Sequence, residues 1–206
     1  MTLRSLYDNQ DELLSAILTL HLPEGIECDV CYGNGGFYRS GAIAKPQRRF
    51  DIDPQIDGIV KADSGDLPLE PSSIRSLIFD PPFLTYVKNG RDHKNGTVAM
   101  SARFGGYWSY SDLRRHYMRS IAEAERVLIP DGHLVVKCQD IIHNHRLHAT
   151  SHNVIRWAEP MGLRLKDVFV LAAKHRMPGP QKGTQRHARV WHSYFLVFQK
   201  QKTATL

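Results

Sequence analysis

The chain has no apolar run approaching the roughly 18–20 residues of a membrane-spanning helix, and Met1–Gln10 carries no secretion-signal core. A cytoplasmic protein that does not enter the membrane is expected. Cysteines are scarce and odd in number, three in 206 residues, which argues against a disulfide framework and agrees with a reducing compartment. There is no internal repeat, and no linker marks a second unit, so residues 1–206 read as one domain. A third glycine is also missing: Gly33-Asn34-Gly35 would need one at position 38, where Tyr38 stands, so the dinucleotide fingerprint G-x-G-x-x-G is absent.

What is present is an ordinary globular balance, 42% hydrophobic and 23% charged, with a formal net charge of +6 and eleven histidines that can add to it. A basic balance of this kind favours polyanionic partners such as nucleic acid.

Helical spacing of Leu13, Leu14, Ile17 and Leu18 predicts an amphipathic helix within an N-terminal segment, residues 1–24. Strands are expected at Ile26–Cys31, Gln47–Ile52, Gly58–Ala62, Ser76–Phe79, His133–Lys137, Leu165–Ala172 and Ser193–Phe198. Ser109-x-x-Asp112 has the form of a capping box and opens a second helix through Leu113, Tyr117, Ile121, Ala124 and Leu128. Pro130-Asp131-Gly132 then turns the chain. A third helix runs through Val154, Trp157, Ala158 and Met161 and stops at Gly162. Fewer than 20 residues separate Gly33 from Asp51, so any helix between them is short. The pattern is α/β: a seven-stranded, mostly parallel sheet whose last strand, reached without a helix, runs antiparallel.

The chemistry gathers at strand ends. Leu77-Ile78-Phe79 runs into Asp80-Pro81-Pro82-Phe83, where two prolines must stop the strand because they lack an N–H and fix φ. The result is a rigid corner with one carboxylate, exposed carbonyls and an aromatic face, at the end of a strand where open α/β sheets bind ligands. Gly33–Gly36 lets backbone approach a ligand after the first strand. Asp51, with Asp53 as the alternative, is placed to hold ribose hydroxyls, and Asp63 to accept from an adenine amino group.

These segments, in this order, resemble the S-adenosylmethionine-dependent amino-methyltransferases. Asp29-Val30-Cys31-Tyr32-Gly33-Asn34-Gly35 is similar to their methionine-binding segment, and Asp80-Pro81-Pro82-Phe83 to the [DNS]-P-P-[YFW] signature of enzymes that methylate exocyclic amines. Asp29 to Tyr38, Ala62–Pro68 and Gly132–Lys137 resemble small DNA methylases common in phages and prophages. The resemblance spans roughly residues 26–200 and implies a Rossmann-like class I methyltransferase fold. S-adenosyl-L-methionine would then be the cofactor, held by Asp29, Tyr32, Gly33, Gly35, Asp51, Asp53 and Asp63. Asp80, Pro81, Pro82 and Phe83 would carry catalysis.

An aromatic amine's lone pair is delocalised into its ring. A carboxylate (Asp80) and the carbonyl of Pro81 can each accept one of its N–H bonds, drawing nitrogen toward tetrahedral geometry while Phe83 stacks on the base. A base in duplex DNA must first be flipped out. The implied acceptor is adenine N6 in DNA, then cytosine N4, with RNA guanine N2 or adenine N6 as the rival. A non-catalytic nucleic-acid-binding subunit is the rival of another class.

Residues 88–106 and 174–192, the latter with Lys174, Arg176, Lys182, Arg186 and Arg189, are expected to be substrate loops, one a lid and one a phosphate-contacting arm. Cys138-Gln139 lacks the preceding proline of the cytosine-C5 enzymes and sits on the wrong strand for their thiolate. No metal is expected: Cys28-x-x-Cys31 has no second pair, and His143, His145, His148 and His152 read as a solvated, partly cationic loop.

Overall fold

In the computed structural model, which describes residues 2–85, 106–173 and 184–202, each predicted strand takes its place in one eight-stranded sheet. The strands are β1 (Leu6–Tyr7), β2 (Cys28–Asp29), β3 (Arg48–Asp51), β4 (Val60–Lys61), β5 (Ile74–Phe79), β6 (Leu128–Cys138), β9 (Leu163–Ala172) and β10 (His192–Lys200). Their order is β1-β9-β10-β6-β5-β2-β3-β4. Only β10 runs antiparallel, to β9 on one side and β6 on the other. The eighth strand is β1, which adds in parallel to the β9 edge.

Three expectations need correction. The His-rich stretch after β6 is not an irregular loop: Ile141–His143 (β7) and Arg146–His148 (β8) form an antiparallel hairpin. Its two-residue turn, Asn144-His145, has φ +50° and +55°, the left-handed pair that such tight hairpins demand. Between Gly33 and Asp51 there is a single 3-10 turn, Gly36–Tyr38, in place of a short helix. β6 also begins earlier than expected, because residues on both sides of Pro130-Asp131-Gly132 pair with β5. Ile74 lies opposite Leu128 and Ser76 opposite His133, so the turn is a looped-out bulge.

Among the described residues three α-helices cover the sheet. α1 (Gln10–His21) starts at Asn9, whose side chain accepts from the Asp11 and Glu12 amides. α2 (Tyr110–Val127) starts at the predicted capping box of Ser109 and Asp112. α3 (Thr150–Ala158) ends through a 3-10 turn at Gly162, φ +87°. Alternation along the strands sends Leu77, Phe79, Leu134 and Val136 to one face, against Leu113, Tyr117 and Ile121 of α2. Ile78 and Val135 go to the other, against Leu13, Leu14 and Ile17 of α1. Phe37, Tyr38 and Ile43 join that second core, so buried aromatics cover the sheet where a helix would otherwise lie.

The predicted lid, apart from Gly106, and Lys174, Arg176 and Lys182 of the predicted arm lie outside the described residues. Among the described residues no helix is long and apolar enough to cross a membrane.

Candidate active site

From β2 the chain proceeds outward to β3 and β4, then returns to lay β5 on the other side of β2. The order of the sheet therefore reverses between β2 and β5, and the crevice at the carboxyl ends of such strands is where open α/β sheets bind ligands. The predicted residues collect there. Strands lie about 4.8 Å apart, so Asp51 at the end of β3 and Asp80 just after β5 are roughly 10 Å apart across the sheet edge, with β2, which ends at Asp29, on the strand position between them.

Asp29 is 2% exposed. Its Oδ1 accepts from the Cys31 amide (3.0 Å) and its Oδ2 from the Tyr38 hydroxyl (2.8 Å). Burial pushes its carboxyl up to about 7, a rise that these two bonds oppose and the charges of Asp80 and Asp51 reinforce. Tyr32 stacks on Tyr38 with ring centroids 5.3 Å apart, which fixes the start of the glycine turn. Gly33 and Gly35 have φ +54° and +73°, the left-handed region that only glycine enters without strain. A Cβ on Gly33 would meet nothing within 4 Å, so this turn borders open space; a Cβ on Gly35 would lie 3.0 Å from the Tyr32 hydroxyl.

Asp51 ties the turn to β3. Its Oδ2 accepts from the Gly33 amide (2.8 Å) and its Oδ1 from the Asp53 amide (2.9 Å). The Asp53 carboxylate accepts from Gln55 and lies farther out. Asp63, beyond β4, is capped by the Gly65 amide and pairs with Arg119 of α2 at 3.3 Å. Arg119 thus holds it at the partly exposed rim, one residue beyond Ala62, whose amide donates to the Asp51 carbonyl at 3.0 Å. Ile52, 62% exposed beside Asp51, is an apolar side chain with no sequence signal beyond its neighbour.

At the corner, Pro81 is buried and Phe83 half-buried. The parallel register sets Phe79 opposite Val136, so the next residues, Asp80 and Lys137, come side by side. Lys137 Nζ donates to Asp80 Oδ2 at 3.2 Å. Burial raises the Asp80 carboxyl above its ordinary range, and Lys137 acts against that rise. Phe83 and Lys137 line a cavity of about 300 Å3 with Asp8, Gln10, Gln139 and Trp191. Sequence reading missed the pocket-lining Asp8, Gln10 and Trp191 and gave Lys137 no role. A lysine closing the apolar run Leu134–Val136 was the available signal for one of them.

A polar chain links the corner to the Asp63 rim. The Tyr107 amide donates to the Leu84 carbonyl (2.8 Å), and its hydroxyl meets His116 Nδ1. His116 Nε2 meets Ser64 Oγ, itself 2.8 Å from Ser120 Oγ. Burial holds His116 below the ordinary histidine range. Cys138 is fully buried and its thiol is pushed well up, far from a reactive thiolate. His148 belongs to β8 and His152 to α3, and among the described residues no three His, Cys, Asp or Glu side chains group as metal ligands.

No protein-family model matches the sequence, and no curated protein matches it. Solved structures do. A SAM-dependent methyltransferase from Methanosarcina mazei superposes with a TM-score of 0.54 at 14% identity, covering 90% of this chain and 97% of that one. The 1,6-didemethyltoxoflavin-N1-methyltransferase of Burkholderia thailandensis, solved with S-adenosylhomocysteine, gives 0.52 at 15%, covering 95% and 80%. A candidate DNA modification methylase from Thermus thermophilus gives 0.48 at 15%, covering 77% of this chain and 56% of that one. This chain spans about half the length of the Thermus protein. The fold is that of the class I methyltransferases, with eight strands in place of the seven expected.

Proposed function

We propose that this protein transfers a methyl group from S-adenosyl-L-methionine to an exocyclic amino group of a nucleobase, adenine N6 in DNA before cytosine N4. The observation that carries the reading is the Asp80-Pro81-Pro82-Phe83 corner at the end of β5, beside the Gly33–Asp51 junction, at the reversal point of a class I methyltransferase sheet. The residues fit the methyl donor. Gly33 borders open space, Ile52 offers an apolar face beside Asp51, and the surrounding acids suit a cationic ligand. When bound, that group supplies an activated methyl on a sulfonium.

The chain's own residues do the rest. Asp51 and the glycine turn hold the ribose and methionine ends, Asp53 and Asp63 extend the cradle outward, and Asp29 with Tyr32 keeps the turn in shape. Phe83 stacks on the base. Asp80 and the Pro81 carbonyl each accept one amine N–H, which aims the nitrogen lone pair and leaves Asp80 to stabilise the charge developing there. The +6 net charge, with Arg186 and Arg189 preceding the pocket residue Trp191 in the sequence, supports a nucleic-acid partner.

The test is nucleoside mass spectrometry of DNA and RNA from cells expressing the protein. N6-methyladenine in DNA is expected, and Asp80→Ala should lower it about 100-fold or more while the affinity for S-adenosylmethionine stays near wild type. Methylguanine in ribosomal RNA with unmodified DNA would overturn the choice of acceptor. No methylated nucleoside in either pool would favour the non-catalytic subunit.

A further inference from the structure

Resting on that amino-methylation reading, we propose that Lys137 is the positioning residue of the corner. Its ammonium takes Oδ2 of Asp80, fixes the plane of the carboxylate, and leaves Oδ1 as the oxygen that receives the substrate amine.

The geometry behind this is specific. Lys137 donates to Oδ2 at 3.2 Å, and among the described residues no hydrogen bond reaches Oδ1. The two oxygens of one carboxylate are thus made different. Lys137 is itself held: its side chain is 14% exposed, Nζ also reaches Gln10 Oε1 at 3.4 Å, and it lies over the rings of Phe37 (4.9 Å) and Phe195 (5.5 Å). Sheet register produces this cage, because Phe195 of β10 is the antiparallel partner of Lys137 and Asp80 is its parallel neighbour. The lysine lines the same cavity as Phe83, so the oxygen it occupies is withdrawn from any ligand there.

Charge supports the same assignment. The other titratable groups that act on or feel Asp80 are Asp29 at the end of β2, Cys31 beyond it, Cys138 of β6 and Tyr117 of α2. Burial keeps the two thiols and the phenol neutral, and Asp29 is another acid. Lys137 is the cation of this set, and it opposes the protonation that burial would impose on Asp80.

A consequence separates positioning from mere support. In Asp80→Asn the amide has one acceptor, which Lys137 takes, turning the NH2 group toward the substrate amine, where two donors face each other. Removing the lysine frees the amide to turn its oxygen to the amine. Asp80→Asn/Lys137→Met should therefore be about tenfold or more faster than Asp80→Asn alone, the factor carried by one mispaired hydrogen bond. Lys137→Met alone should be slower than wild type.

The direct measurement needs no acceptor. Carboxyl 13C NMR of aspartate-labelled protein, with Asp80 identified by its loss in Asp80→Asn, gives the pH at which it titrates. Lys137→Met should raise that midpoint, and Lys137→Arg should keep it near wild type. An unchanged midpoint in Lys137→Met overturns the proposal. So does an active wild type in which the double variant is no faster than Asp80→Asn. If Asp80→Ala still methylates, the functional reading fails, while the titration continues to judge the lysine.

Discussion

Asp29 makes the folding of this protein sensitive to pH in a direction opposite to that of most carboxylates. The group is 2% exposed, and burial lifts it from an ordinary 3.8 to about 7 in the folded chain. Below about pH 4 it is protonated both folded and unfolded. Between pH 4 and 7 the unfolded chain releases the proton and the folded chain keeps it. Each pH unit in that window then costs the folded state about 1.4 kcal/mol, levelling above pH 7 at a loss of about 4 kcal/mol. The stability linked to the raised value is present at low pH and lost as pH rises through 7. Asp29→Asn cannot ionise, yet it keeps an oxygen for the Cys31 amide and a group that can meet the Tyr38 hydroxyl. Urea unfolding of both proteins from pH 4.5 to 8.5 should show the variant gaining on wild type by about 3 kcal/mol, roughly 6–12 °C in Tm. A gap that does not change with pH would refute the reasoning, because it would mean that Asp29 is ionised in the fold throughout. The same proton bears on ligand binding: a cationic methyl donor beside Asp29 lowers its pKa. Binding near pH 6.5 should then release a proton, seen as calorimetric heats that vary with the ionisation enthalpy of the buffer.

Two further substitutions address the donor side. Gly35→Ala meets both a left-handed φ of +73° and the Tyr32 hydroxyl at 3.0 Å, so it should lose about 1–2 kcal/mol or more in denaturant unfolding and disturb the Tyr32–Tyr38 stack. Gly33→Ala, whose Cβ enters open space, should cost less stability. Asp51→Ala removes the acceptor of the Gly33 and Asp53 amides and should raise the Kd for S-adenosylmethionine about tenfold by calorimetry. An unchanged Kd would transfer the ribose role to Asp53.

The parts legible in the sequence were those written in local pattern. Leu77-Ile78-Phe79 before two prolines announced β5 and its stop, and Ser109 with Asp112 announced the start of α2. The β7–β8 hairpin was hidden because histidine stands at the second turn position, where glycine would have advertised the left-handed pair, and because four histidines read as solvated. β1 has two residues and exists only because β9 offers an edge. The Asp80–Lys137 pair could not be read, since 57 positions separate its members and only the Phe79–Val136 register brings them together. Asp63 was legible as a strand-end acid, but its pairing with Arg119 depends on where α2 lies over the sheet.

β10 lies third of eight across the sheet, although every other strand of the described chain is made before it. A ribosome-bound chain that has not yet released His192–Lys200 holds two separate blocks, β1 with β9 and β6 through β4, each exposing an unpaired edge. The Phe195 wall of the Lys137 cage, and the Trp191 side of the cavity, wait for that strand. Completion of the sheet therefore waits until β10 has emerged, and truncations that remove β10 should yield aggregation-prone chains, not a smaller folded domain.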